Sequence, residues 1–189
     1  MEDLTAFLRL FGTLSDEDAA LICDACRPRH YAKGEVITAA GALQRDLLFV
    51  HDGIQMSYHE HDGKLHVIAF TYPPSFSGVP ESFLHQTPSP YTLQALTASH
   101  CSAIAREQLD GLFDRSQAIE RIFRRTAETM LTGLLVRHRE LQALSMEERF
   151  TAFAQRSPHL LRMVPHKYLA SYLNIDPTNF SKLFNSVRI

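Results

Sequence analysis

The sequence predicts an α+β chain: an antiparallel β-roll flanked by helices, then one long helix, then an all-α helix-turn-helix end. Three observations carry this. Between about Arg29 and Ala105, short apolar runs are broken by turn residues every 8–12 positions, as in β-sandwiches and barrels. Ser116–Leu144 has no internal proline and repeats apolar residues at helical spacing. From Val164 to Arg188 two short amphipathic stretches flank a tight turn.

The elements follow in order. Residues 3–11 and 16–26 predict two short helices, the second opened by Ser15 as cap and by acidic Asp16, Glu17 and Asp18 in its first turn. Cys23-x-x-Cys26 has redox or zinc spacing, but no second pair exists. On a helix the two read as small, partly buried apolar residues. Cys101, in an apolar run, reads as core. Turns are expected at Lys33-Gly34, Ala40-Gly41, His51-Asp52-Gly53, His61-Asp62-Gly63-Lys64 and Tyr72-Pro73-Pro74. Asp62-Gly63, between Ile54–Tyr58 and Leu65–Phe70, is the sharpest hairpin signal. Tyr91–Leu96 and Cys101–Ala105 are expected to pair and close the β region.

In the long helix Phe123, Met130, Leu134, Leu141 and Leu144 recur near heptad spacing, flanked by Ile119, Ile122, Ala127 and Leu131. The stripe is longer than a small barrel needs as a cap, so it predicts pairing with a twin across a two-fold axis. Phe123, Ala127, Met130, Leu131, Leu134 and Leu141 are the expected interface. Ser145-Met-Glu-Glu148 is a capping box that opens a new helix. The expected divisions are therefore 1–114 (β-roll), 115–144 (dimerisation helix) and 145–189 (helix-turn-helix).

At the C-terminal end Pro165 can open a helix whose Leu169, Ala170 and Leu173 share one face. Asn174-Ile175 makes the turn, Asp176 is the N-cap of a second helix, and Pro177 is its first residue. Phe180, Leu183, Phe184 and Val187 face inward. Thr178, Asn179, Ser181, Lys182 and Asn185 face outward, a polar set suited to base edges and phosphates. His166, Lys167 and Arg188 are placed for backbone phosphates.

Charge agrees with an anionic partner for this end alone. The net charge is −2, yet residues 1–114 hold 7 basic and 15 acidic side chains, whereas 115–144 and 145–189 each hold 6 and 3. No apolar run approaches the roughly 20 residues that span a membrane. The start, Met1-Glu-Asp-Leu, lacks the basic residues of a signal peptide. A cytoplasmic, non-membrane protein is expected.

Acidic β-roll, long helix and terminal helix-turn-helix, in that order, resemble the Crp/Fnr family of bacterial transcription regulators across essentially the whole chain. In the β part the resemblance rests on Lys33-Gly34-Glu35, Gly41, Asp46-Leu-Leu-Phe-Val50, Gly53 and Asp62-Gly63. In the C-terminal part it rests on Arg149-Phe150, Ser157-Pro158 and Val164-Pro165-His-Lys-Tyr-Leu-Ala-Ser-Tyr-Leu-Asn-Ile175. It implies a cyclic-nucleotide-binding-like sensor domain, a homodimer, a palindromic double-stranded DNA site and RNA polymerase as a further candidate partner. Two departures matter. The family's phosphate cassette has a Gly-Glu pair and, about ten residues on, an Arg; here Val79 follows Gly78, and Ser89-Pro90 stands at the arginine position. A buried cyclic phosphate would lack its charge-assisted partner, so no response to cyclic AMP is expected. Any other small-molecule effector would meet Gly78, Glu81, Ser89 and Tyr91. Secondly, the family's β-hairpin wing has no counterpart before Ile189. Iron–sulfur ligation of the Fnr type needs four cysteines, and the chain has 3.

Two alternatives stand beside a DNA-binding regulator without enzymatic activity. One is a cyclic-nucleotide-responsive regulator with a non-standard pocket. The other is a cupin-like metal enzyme or small-molecule-binding protein, because Gly53-x5-His59-x-His61 matches the opening of the cupin metal motif. That match then fails: no glutamate follows at 65 or 66, which are Leu and His, and His61 belongs to the hairpin turn. Neither a metal nor a cofactor is expected.

Overall fold

The computed structural model describes residues 1–186. The chain divides into two compact units, Met1–His59 with Ala69–Thr129, and Glu60–Ile68 with Met130–Ile189.

In the first unit the chain opens with α1 (Glu2–Arg9) and α2 (Asp16–Ala25). The Ser15 hydroxyl accepts the Asp18 N–H at 3.0 Å and caps α2. Then come β1 (Arg27–Tyr31), β2 (Val36–Thr38), β3 (Asp46–Asp52), β4 (Gln55–His61), β5 (Lys64–Thr71), β6 (Ser75–Ser77), α3 (Pro80–His85), β7 (Thr92–Ala95), β8 (Ser99–Ala105) and α4 (Arg106–Arg115). The strands form two four-stranded sheets, in the orders β1-β8-β3-β6 and β2-β7-β4-β5. β3 explains why Leu47–Val50 is continuously apolar. Phe49 faces a helix-lined core with Leu4, Leu8, Ile22, Leu109 and Ile122, while Leu48 and Val50 join Cys101 and Ala103 on the opposite face. A strand covered on both faces needs no polar alternation.

Asp62 and Gly63 take φ values of 48° and 68°, the left-handed pair that the hairpin signal predicted. One expectation is corrected. β7 and β8 do not pair: β7 lies between β2 and β4, whereas β8 lies between β1 and β3. The three residues joining them form a corner between sheets. There the Leu96 N–H donates to the Ile54 carbonyl at 2.8 Å, and the Thr97 hydroxyl accepts the Ile54 N–H at 2.8 Å. β3 and β4 change sheets at the same corner. Gly53, at φ 95°, has no room for a Cβ, which would collide with the Ala98 carbonyl and Ser99. Apolar alternation marks each strand but does not reveal which sheet it joins.

The second unit contains the C-terminal half of α5 (Gln117–Ala143), then α6 (Met146–Arg156), α7 (Leu160–Met163), α8 (His166–Leu173) and α9 (Pro177–Ser186). Its core holds Phe150, Phe153, Leu161, Leu169, Ala170, Leu173, Ile175 and Phe180. The Ser145–Glu148 capping box forms in both directions, at 3.3 and 2.8 Å. The tip of the β4–β5 hairpin belongs to this unit: the Ser171 hydroxyl on α8 donates to the Leu65 carbonyl at 3.0 Å and accepts the Val67 N–H at 2.9 Å.

Candidate nucleic-acid interface

α8 ends at Asn174, which takes a left-handed φ of 51°, tolerable for asparagine without glycine. The Asn174 N–H bonds to the Ser171 carbonyl at 3.1 Å and the Ile175 N–H to the Ala170 carbonyl at 2.9 Å, a Schellman closure. Asp176 then caps α9, its carboxylate accepting the N–H groups of Thr178 at 2.9 Å and Asn179 at 3.4 Å, with Pro177 in the first helical position. Two short helices are thus held across a three-residue turn, 174–176, with Phe180 buried 5.5 Å from Phe150.

On α9 Thr178, Ser181, Lys182 and Asn185 are exposed and Asn179 is half-buried. The Ser181 hydroxyl donates to the Pro177 carbonyl at 3.0 Å, so towards a ligand it offers chiefly its lone pairs. His166 and Lys167 are exposed at the start of α8. The His166 ring packs 4.3 Å from Phe184, and Lys167 lies 4.8 Å over Tyr168. Arg188 and Val187 lie outside the described residues.

Three arginines that the spacing argument did not select hold this end together. Arg149 donates to three carbonyls: Leu144 at 2.7 Å, Leu173 at 2.9 Å and Asn174 at 3.0 Å. Arg137, on α5, donates to the Tyr172 carbonyl at 2.9 Å and stacks 3.5 Å over the Tyr172 ring. Burial pulls Arg137 down from the usual guanidinium range. Arg156 pairs bidentately with Glu140 at 2.8 and 3.1 Å and holds that carboxylate below its usual range. Arginine within an amphipathic helix is too common for its position alone to flag such roles in advance.

Of the expected interface residues on α5, Met130, Leu131 and Leu134 are 45%, 57% and 58% exposed, and Ala127 is exposed too. Leu135, outside the predicted set, is 62% exposed. Leu141 is half-buried. Phe123 stands apart: its ring lies 5.4 Å from Phe76 and 5.5 Å from Phe113, packed on its own unit's core. The heptad spacing that groups it with Met130 does not register that α5 still covers the β-roll at that point.

In the β-roll, Glu81 and Tyr91 come together, the Tyr91 hydroxyl donating to the Glu81 carboxylate at 3.0 Å. Ser89 is buried and donates to the Tyr91 carbonyl at 2.6 Å. Gly78 faces the buried Gln44, whose amide would stand 3.7 Å from a Cβ there. Gln44 accepts from the Thr38 hydroxyl at 2.5 Å and donates to the Asp46 carbonyl at 2.6 Å; its backbone N–H bonds to Ser82 at 2.9 Å. Among the described residues no buried side-chain polar atom lacks a partner, and no arginine or lysine is fully buried. Burial pushes the Cys26 and Cys101 thiols up to about 11, away from reactive thiolate chemistry. His59 bonds to the Pro90 carbonyl at 3.1 Å, and no three His, Cys, Asp or Glu residues among those described group as a metal site.

Residues 28–116 match the family model of the cyclic nucleotide-binding domain. No curated protein matches the sequence. Among solved structures, the catabolite activator protein of Thermus thermophilus is 23% identical, with a TM-score of 0.59 over 94% of this chain and 85% of that one. FixK2 of Bradyrhizobium japonicum is 19% identical, with a TM-score of 0.71 over 85% and 83%. CLP of Xanthomonas campestris, described as a c-di-GMP-responsive global regulator, is 17% identical, with a TM-score of 0.67 over 90% of each chain. At these identities the likeness is one of fold. Among the described residues, no helix is long and apolar enough to cross a membrane.

Proposed function

From a cyclic nucleotide-binding domain at residues 28–116 followed by a helix-turn-helix, we propose that the chain is a homodimeric, cytoplasmic transcription regulator of the Crp/Fnr type. It reads a palindromic duplex and does not answer to cyclic AMP. The observation that carries the reading is α9, capped by Asp176 and presenting Thr178, Asn179, Ser181, Lys182 and Asn185 along its outer side. A helix entering a major groove meets base edges with its first turns. Asparagine can pair bidentately with adenine, and lysine suits guanine or a phosphate. His166 and Lys167 serve backbone phosphates.

The exposed stripe Met130-Leu131-Leu134-Leu135 supports self-association, since apolar side chains of this size are rarely left in a row on a monomer. Division into a sensor (1–114), a dimerisation helix (115–144) and a DNA-binding part (145–189) follows from this reading. So does contact with RNA polymerase. Against cyclic AMP stand the loss of the phosphate arginine to Ser89 and the closed hydrogen bonding around Gln44. The match at residues 28–116 favours one second reading, a regulator that takes a nucleotide through other contacts. Selection from random duplexes tests the proposal: recovery of a palindrome with half-sites about 34 Å apart is expected. Recovery of no preferred sequence would refute it.

A further inference from the structure

The C-terminus of α8 leaves carbonyls that no helical N–H can satisfy. Every one from Ala170 to Asn174 has a named partner. Ala170 and Ser171 accept the Schellman bonds. Tyr172 accepts from Arg137, and Leu173 and Asn174 accept from Arg149. Arg137 rises from α5, and the third N–H of Arg149 donates to Leu144, the residue after α5 ends. Two guanidinium groups therefore tie the end of the long helix to the negative end of α8 and to the turn before α9. All of these groups lie in the second unit, as does the apolar stripe from Met130 onwards.

We infer that Arg137 and Arg149 are positioning residues which fix the angle of α9 against α5, and so set which half-site spacing the dimer accepts. The inference rests on the proposed dimeric DNA-binding function. A planar, forked donor suits this task, because it holds two or three carbonyls in one fixed geometry. Lysine offers the charge without the fork and cannot stack on Tyr172 as guanidinium does. Moving one half-site by a single base pair shifts it by about 3.4 Å and turns it by about 34° around the duplex. Rigidly held recognition helices reject that shift; loosely held ones follow it.

The test uses the full chain and the palindrome that the wild type selects, with the spacer lengthened or shortened by one and two base pairs. A duplex with one half-site runs alongside. The wild type should prefer its own spacing by about tenfold or more. Arg149→Lys and Arg137→Lys should each cut that preference to about threefold, and the double variant should nearly abolish it. Single half-site binding should stay within about threefold of wild type, because neither residue faces the groove. A purely structural role would weaken both duplexes together and leave the spacing ratio unchanged. That result overturns the inference, as does loss of the helical circular dichroism of both single variants. A wild type that selects no palindrome refutes the DNA-binding reading instead, before the variants are compared.

Discussion

Asp176 is a small residue with a large local effect, since its carboxylate accepts two of the N–H groups that α9 would otherwise leave open. Asp176→Ala should lower the stability of the C-terminal unit by about 1 kcal/mol, read by urea unfolding. An unchanged midpoint would mean that water replaces the cap at no cost. Two cations on neighbouring helices should behave differently. Lys182→Ala should cost about 1–3 kcal/mol at the cognate site and relax base preference there, whereas Lys167→Ala should weaken all duplexes alike and flatten the salt dependence. Titrations at two salt concentrations separate the two; equal losses on every sequence would remove Lys182 from base readout. A third residue-scale effect is pH-linked. His51 is hydrogen-bonded to Ser102 at 2.7 Å and lies 5.3 Å from the His100 ring, which itself stacks on His30. Burial, then the positive N-terminus and His100, hold His51 below its ordinary range against the opposing pull of the Asp3 carboxylate at 3.6 Å. The unfolded chain then binds more protons than the folded one, so stability falls as pH drops below about 6.5 and continues to fall until the folded imidazole is protonated too. Denaturation between mildly acidic and neutral pH should show this slope, and His51→Asn should flatten it.

At the level of elements, α5 has two different jobs along one helix. Its first turns bury Ile119 and Ile122 and pack Phe123 against Phe76, while its second half leaves Met130, Leu131, Leu134 and Leu135 outward. Met130→Glu combined with Leu134→Glu should give a monomer by sedimentation, because an apolar seam cannot hold unpaired charges at its centre. The fold of the monomer should survive, since these side chains are 45% and 58% exposed and lie outside the buried core. A persistent dimer would place the interface on another element. The hairpin of β4 and β5 is also divided. Its tip joins the second unit, where Ser171 bridges the Leu65 and Val67 backbone groups along an edge strand. Edge strands have open N–H and C=O groups, and a hydroxyl that both donates and accepts closes two of them.

Across the whole molecule, the charge division suits the proposed work, with acidic residues concentrated in 1–114 and basic ones after 115. The cation that a cyclic phosphate needs is absent from the cassette, where Ser89 is buried on its own Tyr91 carbonyl. Calorimetry with cyclic AMP should give no heat of binding, and a constant of about 1 μM or tighter would overturn this part of the reading. A nucleotide site without a buried positive partner carries the full desolvation cost of the phosphate.

Much of this was legible in the chain itself. Local rules decide local structure: Asp62-Gly63 demands a tight turn, Ser145 and Glu148 cap one another, and Asp176-Pro177 starts a helix, each through atoms within a few residues. The proline-free apolar stripe of α5 is equally local in origin, as is the polar outer side of α9. Long-range pairing is not written in this way. Which sheet β7 and β8 join, and why Gly53 must be glycine, depend on a corner where two distant strand changes meet. Phe123 and Met130 share a spacing, yet only the presence of Phe76 and Phe113 nearby decides that one packs inward. Arg137 and Arg149 show the same limit most clearly: a guanidinium's partners are backbone carbonyls, which every residue has, so only tertiary structure selects the ones it holds.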